Sequence, residues 1–181
     1  MAHIHVADNI PGIRSLVMFR PETGKPLYEL AEILLRGESP LLSAERELIA
    51  AYVSRRNDCV FCSCSHAAAS RVHYGDQEHI VNAVLSDPAT AQISAKLKAL
   101  LVIADKTRER GNLVLPEHVL AAREAGATDR DIHDTVLIAA SFSMFNRYVD
   151  GLDTLTPTDT QAYAEMGQRM ARVGYVPPKP V

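Results

Sequence analysis

Apolar residues recur along this chain at intervals of three and four positions, which is the spacing of one buried face of an α-helix. The clearest stripe contains Leu27, Leu30, Ala31 and Leu34, and it ends at Gly37. No stretch alternates apolar and polar residues as a half-buried strand does, and no Asn-Gly or Asp-Gly turn joins two alternating runs. The pattern therefore predicts an all-α fold with about seven helices.

Helix start and stop signals place these elements along the sequence. Pro26 and Gly37 bound the first predicted helix, and Ser43 caps the second. Further helices are predicted from residue 59 to about Tyr74, from Asp76, from the cap Ser94 to Gly111, from Pro116 to Gly126, from the cap Thr128, and from Thr156-Pro157 to Gly174. The helix after Thr128 is apolar on most sides, so we expect it to lie centrally.

The length of 181 residues suits one domain with a substantial core. Turn signals at Pro11-Gly12 and Pro21 to Gly24 predict that residues 1–24 form an irregular N-terminal arm. Residues 25–174 are predicted to form the helical domain. Residues 175–181 include three prolines and are predicted to be an extended C-terminal tail.

Composition and charge exclude several classes of function. The net charge is −3 without a basic cluster, and only 6% of residues are aromatic, so we expect no nucleic-acid partner. Apolar runs are too short to span a bilayer, and the N-terminus lacks a signal-peptide pattern, so we expect a cytoplasmic protein without a membrane partner. No Gly-rich phosphate loop or dinucleotide fingerprint is present, and no cofactor is expected.

The three cysteines of the chain all lie between Cys59 and Cys64, directly before His66. Asp58 is the predicted N-cap of a central helix, which places the Cys-x-x-Cys pair in its first turn. At spacings of three and four residues, Cys59, Cys62 and His66 share one helix face. The partial positive charge of a helix N-terminus favours a thiolate, and a second thiol one turn away can close a disulfide with it. The pattern predicts a redox-active dithiol.

Two other interpretations of this cluster stay open. Cys59, Cys62, Cys64 and His66 could be counted as four zinc ligands, although Cys64 points about 200° around the helix axis from Cys62. Four ligands in one continuous helix cannot surround a metal ion tetrahedrally unless the helix unwinds. The second alternative is a structural pair that only packs.

Glu47 and the sequence Cys59-x-x-Cys62-x-x-x-His66 together resemble the signature of the alkyl hydroperoxidase D-like (AhpD-like) family, within the carboxymuconolactone decarboxylase superfamily. Glu47 lies twelve residues before Cys59, as the family spacing requires. Residues 146–152 resemble a segment of the peroxidase-related branch, and the likeness covers roughly residues 25 to 155. It implies an all-helical fold, assembly into trimers or hexamers, and thiol-dependent reduction of alkyl hydroperoxides.

The resemblance also implies roles for the matching residues. Cys62 is the peroxidatic cysteine, Cys59 is the resolving cysteine, and Glu47 with His66 forms a proton relay; no metal takes part. An external dithiol or a lipoyl-type reductant regenerates the pair. The best-studied members have a second histidine between the two cysteines, where this chain has Phe61.

The substitution at Phe61 leaves a first rival function, a thiol–disulfide oxidoreductase or redox sensor without peroxide turnover. A second rival is a decarboxylase-like lyase, which the Cys-x-x-Cys pair disfavours because that chemistry needs a proton donor and acceptor instead of a dithiol. A helical scaffold with an incidental disulfide is the non-enzymatic rival. Cys64 is not required by the family pattern, and we expect it to be a small buried side chain.

Overall fold

The computed structural model describes residues 2–176, and within them every regular element is helical. Two short 3₁₀ turns, at Gly75–Gln77 and Gly111–Leu113, accompany nine α-helices. The α-helices are α1 (Ile13–Phe19), α2 (Pro21–Arg36), α3 (Ser43–Arg56), α4 (Val60–Tyr74), α5 (His79–Ser86), α6 (Ala95–Glu109), α7 (Pro116–Glu124), α8 (Asp129–Gly151) and α9 (Thr160–Val173). The predicted all-α class is confirmed, with two more helices than expected.

The expectation of an irregular arm over residues 1–24 is wrong, because α1 and the first turn of α2 lie there. Pro21 occupies the start of α2, where its missing N–H would have had no helical partner. Pro26, the predicted helix start, lies inside α2, near its N-terminal end. Gly24 lets the two helices approach closely, since a Cβ there would lie 2.6 Å from Val17.

Several predicted helix ends are confirmed by their caps. Ser94 accepts a hydrogen bond from the Leu97 N–H, and Thr128 accepts one from the Asp131 N–H. The last helix begins later than predicted, because Asp159 and not Thr156 supplies its capping side chain. The prediction of Asp58 as a cap is also wrong, because Cys59 is the N-cap of α4.

The core surrounds α4, which packs most extensively against α3 and α9. The buried side of α3 includes Leu48, Ile49 and Val53, each of which is fully buried. The long helix α8 contacts α3, α4 and α6, and its Ile138 and Phe142 are buried, in agreement with a central position. Over residues 2–176, no helix has both the length and the apolar character to cross a bilayer.

Small side chains allow α4 and α9 to approach each other. The three alanines that follow His66 are buried, and Ala68 faces Gly167 of α9. A Cβ built at Gly167 would lie 2.6 Å from both the carbonyl carbon and the Cβ of Ala68. Because one of these atoms belongs to the backbone, a side chain at position 167 must push the helices apart.

We expect Gly167→Ala to lower the free energy of unfolding by about 1–3 kcal/mol, as overpacking of a core does. Urea unfolding monitored by circular dichroism measures this change. Gly151→Ala on α8 is the matched control, because its Cβ would meet no neighbouring atom within 4 Å. Equal stability of the two variants would contradict the close packing described here.

Candidate functional site

A tight corner between α3 and α4 positions the two cysteines. Asp58 has a left-handed backbone (φ 59°), so it cannot serve as the N-cap, and Cys59 takes that place. The Cys59 N–H donates to the Ser54 carbonyl at 3.0 Å. Asn146 of α8 fixes the corner from outside, because its amide donates to Ser54 Oγ at 2.9 Å and accepts from the Asn57 amide at 3.0 Å. These contacts link α8 to the end of α3.

Cys59 and Cys62 are both free thiols in this structure, and both are buried, with 0% and 4% of their surfaces exposed. A hydrogen bond between the two thiols, together with burial, raises the pKa of Cys59 well above its ordinary value. Cys59 therefore keeps its proton and can donate it toward the Cys62 sulfur.

Glu47 is fully buried, and its carboxylate is surrounded by hydrogen-bond donors from three other parts of the chain. Its Oε2 lies 2.6 Å from His66 Nδ1 on α4. Its Oε1 accepts from Arg36 Nη2 at 2.5 Å, at the end of α2, and from the Tyr175 hydroxyl at 2.6 Å, just after α9. The structure thus brings Glu47 and His66 into direct contact.

The hydrogen-bond donors around Glu47 favour its ionised form. Burial alone would raise the pKa of Glu47, but the charge and hydrogen bond of His66, with help from Arg36 and Tyr175, hold the pKa below its usual value. Burial, followed by the nearby Glu47 charge, raises the pKa of Tyr175 well above its usual value, so the phenol stays protonated. Because Glu47 is ionised and only accepts, His66 Nδ1 donates to it, and Nε2 is the ring nitrogen that does not face this carboxylate.

Cys62 and His66 line one small cavity of about 40 Å³. The rest of its wall is apolar or aromatic: Ile13, Tyr28, Ala31, Phe61, Phe142, Phe145 and Tyr175. The volume exceeds the roughly 15 Å³ that one ordered water needs. The cavity can therefore admit a small polar group beside Cys62 and His66.

Phe61 forms part of this wall and ties the N-terminal segment to the site. Its ring is so close to Gly12 that a Cβ at position 12 would lie 2.0 Å from it. Gly12 also has a left-handed backbone (φ 57°), which a side chain would strain. Neither the ring of Phe61 nor that of Phe142, which meets His66 edge to face at 4.5 Å, can transfer a proton.

Tyr175 and Arg36 were not predicted as site residues. Tyr175 belongs to the segment predicted to be an extended tail, yet it is buried and stacks on the His66 ring at 6.0 Å. Glu32 of α2 holds this segment by accepting from the Tyr175 N–H at 2.6 Å and the Val176 N–H at 3.4 Å. The one available signal was Gly174, whose left-handed backbone ends α9 and turns the chain back. Residues 177–181 of the predicted tail lie outside the described part.

Cys64 lies apart from the other two cysteines, as its position on the helix predicts. It lines a different, more open cleft together with Arg55 and Arg71, and burial raises the pKa of its thiol. Among residues 2–176, no three His, Cys, Asp or Glu side chains are grouped so that they could hold a metal ion. The four side chains of the zinc interpretation do not form such a group in the described part of the chain.

Comparisons with known proteins agree on the fold. The sequence profile of the carboxymuconolactone decarboxylase family matches residues 21–106. A crystal structure of an alkylhydroperoxidase AhpD core, an uncharacterized peroxidase-related protein from Ralstonia eutropha JMP134, superposes with a TM-score of 0.77 at 24% identity, covering 88% of this chain and 82% of that one. A second peroxidase-related protein, from Silicibacter sp. TM1040, gives 0.76 at 26% identity, covering 86% and 79%. No curated protein matches the chain significantly.

We expect Glu47→Gln to destabilise the protein by about 3–5 kcal/mol at neutral pH, because it leaves buried donors without their charged partner. The native pKa of Glu47 lies below its unfolded value, so its contribution is complete above the unfolded pKa and is lost as pH falls through the native pKa. The stability difference between the two proteins should therefore shrink in acid. Urea unfolding at several pH values measures it.

Glu45→Gln is the control for this measurement, since Glu45 caps the start of α3 by accepting from the Leu42 N–H in a more exposed position. It should cost about 1 kcal/mol or less. A Glu47→Gln protein as stable as the control would mean that the buried carboxylate does not organise this region.

Proposed function

Since the chain is an AhpD-like member of the carboxymuconolactone decarboxylase superfamily, we propose that it is a thiol-dependent peroxidase that reduces hydroperoxides. In this proposal Cys62 attacks the peroxide and Cys59 resolves the product. Glu47 and His66 form the proton relay. Phe61 only shapes the cavity.

One observation carries the proposal: Cys62 shares a small, mostly apolar cavity with an imidazole that a buried carboxylate orients. The Glu47 contact keeps the proton on His66 Nδ1, which leaves Nε2 as the base on the remaining side of the ring. A nucleophile beside an oriented base is the arrangement that activates a thiol. The geometry alone would also fit other thiol chemistry, and the family likeness favours the peroxidase.

The first step converts the Cys62 thiol to a sulfenic acid. An isolated cysteine has a pKa of about 8.5, so most of it is thiol at neutral pH. His66 accepts the Cys62 proton, and the position of Cys62 in the first turn of α4 favours the resulting thiolate. The sulfur attacks the O–O bond, an S–O bond forms, and the alkoxide leaves as an alcohol after taking the proton from His66.

The second step closes a disulfide. The Cys59 sulfur attacks the sulfenic acid of Cys62, the S–S bond forms, and water leaves. Residues one helical turn apart lie within the Cα separation of about 4.4–6.8 Å that a disulfide requires. An external dithiol, a small protein or a lipoyl group, then reduces the disulfide by exchange. Val60, which lies between the two cysteines in sequence, is 54% exposed, so the pair is close beneath the surface.

Phe61 supports a second candidate, a thiol–disulfide oxidoreductase without peroxide turnover. A phenyl ring at this position offers no proton to the reacting atoms, and the cavity beside it is small. The same dithiol could still exchange with protein disulfides, because that reaction needs only a thiolate and a resolving thiol. Under either candidate we expect a cytoplasmic enzyme that assembles as a trimer or hexamer.

A stoichiometric dose of an alkyl hydroperoxide should remove two thiols from the reduced wild type, because Cys62 and Cys59 end as a disulfide. Cys62→Ser should lose none at a comparable rate, and Cys59→Ser should stop at a sulfenic acid that dimedone traps. Titration with a chromogenic disulfide counts the thiols before and after the dose. Oxidation of the pair by disulfides but never by peroxides would instead establish the exchange enzyme.

Tyr175→Phe should lower the rate of Cys62 oxidation about tenfold, since a hydrogen bond to a charged group contributes about 1.5–3 kcal/mol. The Tyr175 hydrogen bond helps to keep the pKa of Glu47 low, so the acid limb of the pH–rate profile should move to higher pH. Stopped-flow assays across the pH range measure both effects. Tyr148→Phe, on α8 outside the cavity, is the control. An unshifted acid limb would show that Tyr175 is only structural.

A further inference from the structure

Cys64, which the proposed reaction does not use, lies half-buried in a cleft of its own. The cleft has a volume of about 500 Å³ and is bounded by the last turn of α3, α4, α5 and the first turn of α9. Volumes of about 300–1,000 Å³ are typical of sites for small molecules. Cys59 and Cys62 are not among the described residues that line it, so this cleft is separate from the small cavity beside Cys62.

Two arginines give this cleft a positive charge. Arg55 of α3 and Arg71 of α4 line it, and no carboxylate is among the described residues that do so. Within residues 2–176, neither guanidinium group forms an ion pair with an acidic side chain. Arg71 Nη2 donates to Asn82 Oδ1 on α5 at 2.6 Å, which fixes this guanidinium at the cleft. Because a guanidinium carries five N–H donors, most of those of Arg71 remain for a ligand.

Ser63 supplies an independent sign of a polar ligand. Ser63 is only 6% exposed, and it lines the cleft beside Cys64. Its N–H donates to the Cys59 carbonyl, but its hydroxyl makes no hydrogen bond to any other described residue. Since buried polar groups are normally hydrogen-bonded, this hydroxyl requires a partner inside the cleft. A thiol, two guanidinium groups and an unsatisfied hydroxyl thus meet around one space.

We propose that this cleft binds a small disulfide that carries carboxylates, and that Cys64 exchanges with it to form a mixed disulfide. Arg55 and Arg71 bind the carboxylates, because a guanidinium group and a carboxylate form two parallel hydrogen bonds. The Cys64 thiol loses its proton to solvent, and its sulfur forms a bond to one sulfur of the ligand. The S–S bond of the ligand breaks, and its second half leaves as a thiolate that takes up a proton. Cys64 is thereby oxidised and the ligand reduced, without any part in peroxide chemistry.

The state of the Cys64 thiol makes binding important for this exchange. Burial raises the pKa of Cys64, and the charges of Arg71 and Arg55 lower it only in part. The thiol is therefore mostly protonated at neutral pH and reacts slowly in random collisions, because the thiolate is the nucleophile. A disulfide that the two guanidinium groups hold beside Cys64 gains in rate through proximity. An uncharged disulfide lacks this advantage.

The test compares an anionic and a neutral disulfide on a protein in which Cys59→Ser and Cys62→Ser leave Cys64 as the sole thiol. Oxidised glutathione is the anionic probe and 4,4′-dithiodipyridine the neutral reference, and mass spectrometry follows the mixed disulfide over time. The rate with oxidised glutathione should level off as its concentration rises, because a bound complex precedes exchange. The rate with 4,4′-dithiodipyridine should stay proportional to concentration. Proportional rates for both probes would contradict the proposal.

Substitutions of the arginines test how the ligand is held. Arg55→Gln and Arg71→Gln should each lower the ratio of the glutathione rate to the dithiodipyridine rate about tenfold, because each removes charged hydrogen bonds. The ratio cancels any change in the thiolate fraction of Cys64, which affects both probes equally. Arg110→Gln removes the same charge at the exposed end of α6 and should leave the ratio within about twofold of its original value. A ratio unchanged by both cleft substitutions, or lowered as much by Arg110→Gln, would overturn the proposal.

A second measurement uses the reduced wild type and needs no substitution. After incubation with oxidised glutathione, fragmentation of the peptide that contains the three cysteines should assign the glutathione adduct to Cys64. S-Methylglutathione cannot exchange, and it should protect Cys64 from iodoacetamide to an extent that saturates with concentration. An adduct confined to Cys59 or Cys62, or an absence of protection, would refute the site. Because no peroxide is used, the result is independent of whether the protein is a peroxidase.

Discussion

The ionised carboxylate of Glu47, closed off from water, is the constraint on which the rest of this structure depends. A buried charge is tolerated only when donors replace its lost hydration. Here Arg36, His66 and Tyr175 supply them from three different elements. The same contact that satisfies the charge also orients the imidazole beside Cys62. Stability and chemistry at this site therefore have a common origin.

Both ends of the described chain contribute to the small cavity beside Cys62. The N-terminal segment reaches it through Gly12, which lies against Phe61, and through Ile13. The C-terminal segment reaches it through Tyr175. The walls around the Cys62 thiol thus depend on contacts between segments that lie far apart in the sequence.

Periodicity and capping chemistry sufficed to predict the fold class and many helix ends. Ser94 and Thr128 cap the helices they were expected to cap, since this signal is local. The prediction of Asp58 as N-cap failed because Asp58 has a left-handed backbone in the turn between α3 and α4. Cys59 is the N-cap instead. It failed at the N-terminus as well, where Pro21 and not Pro26 begins the helix.

In the candidate site, too, the relations within one helix were predictable and the contacts between distant segments were not. The cysteines and His66 lie within one helix, so their shared face follows from their spacing. Glu47 was selected by family resemblance, and its contact with His66 supports that selection. Tyr175 lies 128 positions from Glu47 in sequence, and no pattern along the chain records that contact.

The way in which Glu32 binds the C-terminal segment has a consequence for variation in this protein. Its carboxylate accepts hydrogen bonds from main-chain N–H groups, which every residue except proline carries. These hydrogen bonds therefore do not depend on the side chains of the segment. Two positions of this segment require a particular residue type. Gly174 has a left-handed backbone, and Tyr175 donates its hydroxyl hydrogen bond to Glu47. Val176 can therefore be exchanged for many residues while the segment stays docked on Glu32.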